Sequence, residues 1–195
     1  MIELHNPFID TVQHTKLRLL PRQLNADLYT HLKNNLVDKI QGKCNHNGYV
    51  EKVYKITDYK NGVINAEDPS ASVIFDVEYE CRLWLPKNKK YIIGKITLSN
   101  QTITRAENGP ITIYIMGNQI NQTNFTVDPG SIIYKKTNKK LNVDDLVIVE
   151  IKQIRLNYSE SQINTIGYLF DIPNKDQVSK YFVEQVNEKT NELVL

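Results

Sequence analysis

Residues 72–85 constrain this chain more than any other stretch. Val73, Phe75, Val77, Tyr79 and Cys81 fall on one side of a two-residue period, with Asp76, Glu78 and Glu80 on the other. Such alternation describes a strand with one buried and one wetted face, as in an antiparallel sheet. Its neighbours extend that sheet. Residues 15–19 alternate as a short strand closed by Pro21, and Gly48-Tyr49-Val50 opens another through Val53, Tyr54 and Ile56. Asn61-Gly62 ahead of Val63-Ile64 is a hairpin-type turn signal. From Leu24, apolar residues recur at Leu28, Leu32, Leu36 and Ile40, opposite Asp27, Lys33, Asn34 and Asp38. That spacing predicts an amphipathic helix over 24–40, with Asn25 as N-cap and Gly42 as stop signal. His31 borders the apolar stripe and reads as structural.

Pro86 and the run Lys87-Asn88-Lys89-Lys90 mark a boundary. Beyond it, short strands are predicted over 91–98, 102–107 and 111–116, and again over 146–156 and 162–169. The polar residues 117–142 between the two groups are long for a connection, and read as an irregular, functional or partly mobile insert. Five strands in three-then-two order fit a small OB-type barrel. From Pro173 onward, Val178, Tyr181, Phe182 and Val186 keep helical spacing, so a short helix docking on this molecule or a partner is expected. The expected architecture is α+β. Residues 1–86 form a sheet-and-helix domain, 87–170 an OB-fold barrel and 171–195 a tail.

Composition narrows the function. The 195 residues carry 24 Lys+Arg against 22 Asp+Glu, a net of +2, too little for a chain built only to coat nucleic acid. The charge is uneven, however: −1 over 1–86, +5 over 87–169 and −2 over 170–195. Positive charge gathered in one block points to a nucleic-acid partner. No apolar run is long enough to span a bilayer, and the start lacks a signal-peptide pattern, so a soluble intracellular chain is expected. Cys44 and Cys81 read as reduced thiols. With four scattered histidines they make no zinc cluster, and no metal or cofactor is expected. Phosphate-loop, dinucleotide and nucleophile-elbow motifs are missing, and Asp144-Asp145 reads as a turn, so no catalytic residue is assigned.

The order of these features resembles the seventh subunit of eukaryotic RNA polymerase II and its counterpart in archaeal RNA polymerase. The likeness runs over residues 15–169 and rests on the 24–40 helix, Gly42-Lys43-Cys44, Gly48-Tyr49-Val50, Gly62-Val63-Ile64, Phe75-Asp76-Val77-Glu78-Tyr79 and Pro86. In the second half it rests on Gly94, Gly109-Pro110 and the strand over 147–151. The resemblance implies an N-terminal ribonucleoprotein-like tip domain docked on the large and small core subunits of a polymerase, and an OB domain reaching toward nascent RNA. A fourth-subunit-like partner would stand alongside. It places core docking on Gly42, Cys44, Gly48, Tyr49, Gly62, Asp68, Pro69 and Ser70. Lys89, Lys90, Lys95 and Arg105 become candidate phosphate contacts, with Tyr91 and Tyr114 as stacking platforms. Two departures stand out: Asp68-Pro69 replaces the Asp-Gly common in the acidic loop, and Ile103 stands where an aromatic is often found. RNA contact of weak to moderate strength is therefore implied. The 22 Ile, 21 Asn and 19 Lys reflect AT-rich codons. Together with the added insert and tail, they point to a large DNA virus, with the subunit in virions and a cytoplasmic factory; an AT-rich protist, with a nuclear subunit, is the alternative source. A rival function is a free-standing OB-fold RNA-binding protein in translation or RNA handling.

Overall fold

The computed structural model describes residues 2–190 except 65, 67, 101, 129 and 130, with backbone alone over 184–190. The chain divides into two compact units. One comprises Phe8–Leu85 with Asn157–Ser161; the other holds Pro86–Leu156, the segment before Phe8 and that from Gln162 onward.

In the first unit, β1 (Phe8–Leu19), β2 (Lys43–Asn45), β3 (Gly48–Tyr59), β4 (Val63–Ile64) and β5 (Val73–Trp84) form one antiparallel sheet in the order β1-β5-β3-β2, with β4 also on β5. The expected alternation of β5 is observed: Val73, Phe75, Val77, Tyr79 and Cys81 are buried. Helix α1 (Leu28–Ile40) adds Leu32, Leu36 and Ile40 to their core, with Leu28 and Val37 packed at its margin. The helix starts later than predicted, because the Asn25 carboxamide accepts the Asp27 N–H at 2.9 Å and folds a turn in place of a cap. Strand β1 starts earlier than Thr15. Its first half hides from a period-two reading because Ile9 and Val12 are exposed while Gln13 is buried, accepting from Asn45 Nδ2 at 2.7 Å and Tyr79 Oη at 3.3 Å. Asp10 pairs with the nearly buried Arg82 through Nε at 3.0 Å and Nη2 at 3.3 Å. β1 is also a sheet edge. Asn35 Nδ2 and Lys39 Nζ of α1 donate to its outward carbonyls, Arg18 O at 3.4 Å and Lys16 O at 2.5 Å.

In the second unit, β6 (Tyr91–Ser99), β7 (Ile103–Asn108), β8 (Ile111–Met116), β12 (Leu146–Arg155) and β13 (Ile163–Asp171) close a barrel in the order β12-β13-β8-β7-β6. The closure pairs β13 with β8 in parallel and β12 with β6 antiparallel. Ile92, Ile96, Ala106, Ile111, Ile113, Ile115, Val147, Val149, Ile151, Ile163 and Leu169 fill it. Between β8 and β12, the stretch expected to be irregular holds an ordered three-stranded sheet, β9 (Phe125–Asp128), β10 (Ser131–Tyr134) and β11 (Lys139–Lys140). Helix α2 (Lys175–Thr190) occupies the tail and anchors through the buried Tyr181, whose hydroxyl meets Asn108 Nδ2 at 2.8 Å. No helix among the described residues is long and apolar enough to cross a membrane.

Candidate docking and nucleic-acid surfaces

The eight residues proposed for docking divide between the two ends of β5. Tyr49 registers with Trp84, whereas Ile64 registers with Val73. Eleven residue steps at about 3.3 Å separate those ends by about 36 Å, so no single small patch holds both sets.

At the Trp84 end, Gly42 takes φ +76°, its N–H on Val50 O at 2.8 Å, and open space beside it leaves conformation as the reason for glycine. Gly48 has a second reason. A Cβ there would lie 2.4 Å from Trp84 O. Cys44 is buried, its N–H donating to Glu160 O at 2.7 Å while its carbonyl accepts from Ser159 N at 2.9 Å. Burial, aided by the Glu160 charge, pushes its thiol up to about 11. Half-buried Tyr49 is raised by burial and by Glu51. The rings of His46 and Tyr158 lie 5.5 Å apart. Segment 157–161 thus already uses the backbone of Cys44 on this side.

The Val73 end is open. Gly62 is required by packing, since a Cβ would stand 2.2 Å from Val73 Cγ1 and 2.8 Å from Phe75 Cζ. Asp68 organises the loop after β4: Oδ1 accepts from Ser70 Oγ at 2.6 Å and Ser70 N at 3.0 Å, and Oδ2 from Ser72 Oγ at 2.6 Å. The two serine hydroxyls, with the Ser70 N–H and Arg18 at 3.6 Å, hold its carboxyl down at about 2. Pro69 and Ser70 form the turn that Asp68 braces. Apolar side chains are exposed at this same end: Val63 at 67% and Ile64 at 62%, with Leu20 and Leu24 beyond Leu19, which registers with Val73. Only the paired apolar residues beside turn signals hinted at that surface in the sequence.

The barrel candidates also fall into two groups. Lys89 (φ +63°) donates its N–H to Ile151 O at 2.7 Å, and Lys90 Nζ lies 3.6 Å from Glu3. Beside them the Tyr91 ring stands edge-on to Phe170 at 5.1 Å, and Tyr91 registers with Glu150 of β12. On the outer face of β7 and β8, Arg105 is directly opposite Tyr114, and Ile103 opposite Met116. Tyr114, Met116, Ile103 and the adjoining Leu98 are all exposed. Lys95 of β6 registers with Glu107 on that side. This face can offer a ring to a base and a guanidinium to a phosphate, but its cations have acidic neighbours: Arg105 bonds Glu107, and Lys95 Nζ lies 2.7 Å from Asp144. Asp145 accepts from Asn142 N at 2.9 Å and Lys139 Nζ at 3.0 Å, which lowers its carboxyl and makes the aspartate pair a turn brace. Among the described residues no group of three or more His, Cys, Asp or Glu is placed to hold a metal ion.

No family model matches the chain. Individual relatives do. The chain is 31% identical over 179 residues to a protein of Acanthamoeba polyphaga mimivirus provisionally named as a DNA-directed RNA polymerase subunit, spanning 92% of this chain and 90% of that one. It is 25% identical to DNA-directed RNA polymerase II subunit RPB7 of Glycine max, over 84% of this chain and 93% of the plant protein. It is 26% identical to subunit 7 of the same polymerase in Arabidopsis thaliana, over 66% and 78%. The chain belongs to the family of the seventh subunit of RNA polymerase II.

Proposed function

We propose that this protein is a non-catalytic stalk subunit of a multisubunit DNA-directed RNA polymerase. Residues 1–86 act as the tip domain that seats it on the core, 87–170 as an OB-fold domain touching nascent RNA, and 171–195 as a tail. Phosphodiester chemistry belongs to the large subunits. The observation that carries this reading is the sequence agreement with polymerase subunits across both units.

In this reading one end of the sheet does the docking. The Val73 end, with its braced 68–72 loop and exposed Leu20, Leu24, Val63 and Ile64, offers apolar area to a partner, whereas the backbone of Cys44 is already bonded to Ser159 and Glu160. RNA would run over Arg105 and Tyr114. A base on one aromatic platform adds about 1–3 kcal/mol, which fits a guide better than a clamp. A fourth-subunit-like partner remains part of the reading, as do a virion and viral-factory location with the nucleus as alternative.

Affinity purification from the native source tests it. The large polymerase subunits should co-elute with the wild type. Val63→Ser with Ile64→Ser, both at exposed positions, should abolish capture without unfolding the chain. Retrieval of no polymerase subunit under gentle salt would sink the proposal.

A further inference from the structure

Most of the positive excess in the second unit is not on its barrel. Residues 87–169 carry +5, and 117–142, with four lysines against Asp128, carry +3 of it. All four lysines, Lys135, Lys136, Lys139 and Lys140, stand on one hairpin made of β10, β11 and the turn at Asn138 (φ +51°).

The hairpin sorts them by face. Tyr134 and Lys139 are register partners, so their side chains share the side that carries the buried Phe125, Ile132 and Leu141. There the Tyr134 hydroxyl donates to Asp171 Oδ1 at 2.8 Å and Lys136 Nζ reaches Asp171 Oδ2 at 3.2 Å. Lys139 Nζ lies 3.0 Å from Asp145. Asn121 and Asn124 add amide bonds to Phe170 O at 3.2 and 3.1 Å. The next register pair, Ile133 and Lys140, faces the other way. Lys140 is exposed and has no carboxylate partner among the described residues; Lys135 donates to a neutral carbonyl, Gln122 O, at 2.5 Å. Two lysines therefore fix the hairpin to the barrel, and two keep uncancelled charge. The insert follows Met116 and returns to Ile96 through Asp144 N at 2.8 Å, at the barrel end beside Ile103 and Met116.

We propose that the β10–β11 hairpin is a phosphate-contacting arm, in which Lys135 and Lys140 meet single-stranded RNA and Lys136 and Lys139 hold the arm in place. It rests on the reading of the barrel as an RNA-contacting domain and extends that strip beyond Tyr114.

Fluorescence anisotropy of the full chain with a labelled single-stranded RNA oligonucleotide, titrated across salt, tests it. Each phosphate contact adds about 0.7 to the slope of log affinity against log salt, so Lys135→Gln with Lys140→Gln should flatten it by about 1.4. The wild-type advantage over this variant should then shrink roughly sevenfold between about 50 and 200 mM salt. Lys175→Gln with Lys180→Gln, equal in charge but on α2, should keep the wild-type slope. An unchanged slope in the first variant, with Arg105→Gln and Tyr114→Ala still weakening binding, overturns the arm and spares the barrel reading. Equal flattening in both lysine variants reduces the effect to net charge and overturns it. Absence of binding by the wild type at low salt overturns both.

Discussion

Alanine at position 167 should destabilise the barrel, while alanine at position 94 should leave it nearly unchanged. Both glycines point into the barrel and both meet Ile113, yet the room differs. A Cβ on Gly167 would stand 2.4 Å from Val149 Cγ1 and 2.6 Å from Ile113 Cγ2. Carbon atoms rest at about 3.5–4.0 Å, so two methyls would each have to retreat by roughly 1 Å. Val149 and Ile113 are fully buried and branched at Cβ, so neither can swing aside. A Cβ on Gly94 would meet Ala106 Cβ at 3.1 Å and the end of Ile113, Cδ1, at 3.2 Å, a shortfall of a few tenths. Overpacking of the first kind costs about 1–3 kcal/mol. The second is offset by about 0.4–1 kcal/mol from the reduced freedom of the unfolded chain. Urea denaturation followed by circular dichroism reads the difference. With a slope of about 1–3 kcal/mol per molar, a loss of about 2 kcal/mol moves the midpoint by roughly 1 M for Gly167→Ala. Equal midpoints for the two variants, or a larger shift for Gly94→Ala, would refute the packing argument.

Tyr181→Phe should cost about 1–2 kcal/mol, because the buried Asn108 amide keeps only Ile93 O, at 2.7 Å, of its two partners. The melting temperature would fall by roughly 2–4 °C per kcal/mol, and an unchanged value would show that α2 is not anchored there. Burial pushes the thiols of Cys44 and Cys81 up to about 11, so a disulfide reagent at pH 8 should label neither in the native protein and both in urea; prompt native labelling contradicts the fold. Asp68 has its folded pKa depressed from 3.8 to about 2, so its stabilising contribution is complete above pH 4 and is lost as pH falls toward 2. A carboxyl resonance titrating at 3.8 or above would show that the Ser70 and Ser72 bonds do not form in solution.

What could be read in advance follows the range of the interactions. The β5 alternation and the α1 stripe depend on burial along a single element, and Val73 to Cys81 and Leu32 to Ile40 lie where the period puts them. The five barrel strands and their order were legible for the same reason. The sheet of the insert was not. Its strands have four, four and two residues, too short for a period, and its attachment runs through the amides of Asn121 and Asn124 and the Asp171 carboxylate. The division of the docking candidates was hidden as well. Residues 42–48 and 62–72 are close in sequence, and only the register of β3 and β4 on β5 sends them to opposite ends. In the barrel, Arg105 and Tyr114 could be chosen by type, but the acidic neighbours Glu107 and Asp144 emerged only from pairing.

The capping of β1 by α1 bears on how the chain is made. Leu19 is synthesised well before its sheet partner Val73, and Phe8 waits for Trp84. At roughly 5–20 residues per second, the intervening stretch of about 50 residues takes roughly 3–10 s to emerge. Throughout that time the twelve residues of β1 lack their sheet partner and are open to capture by another nascent chain. Helix α1 follows almost at once. Its Asn35 and Lys39 take the carbonyls on the side that β5 never uses. One edge of the strand can therefore be closed while the other is still waiting, and the order of elements along the chain becomes a safeguard during translation.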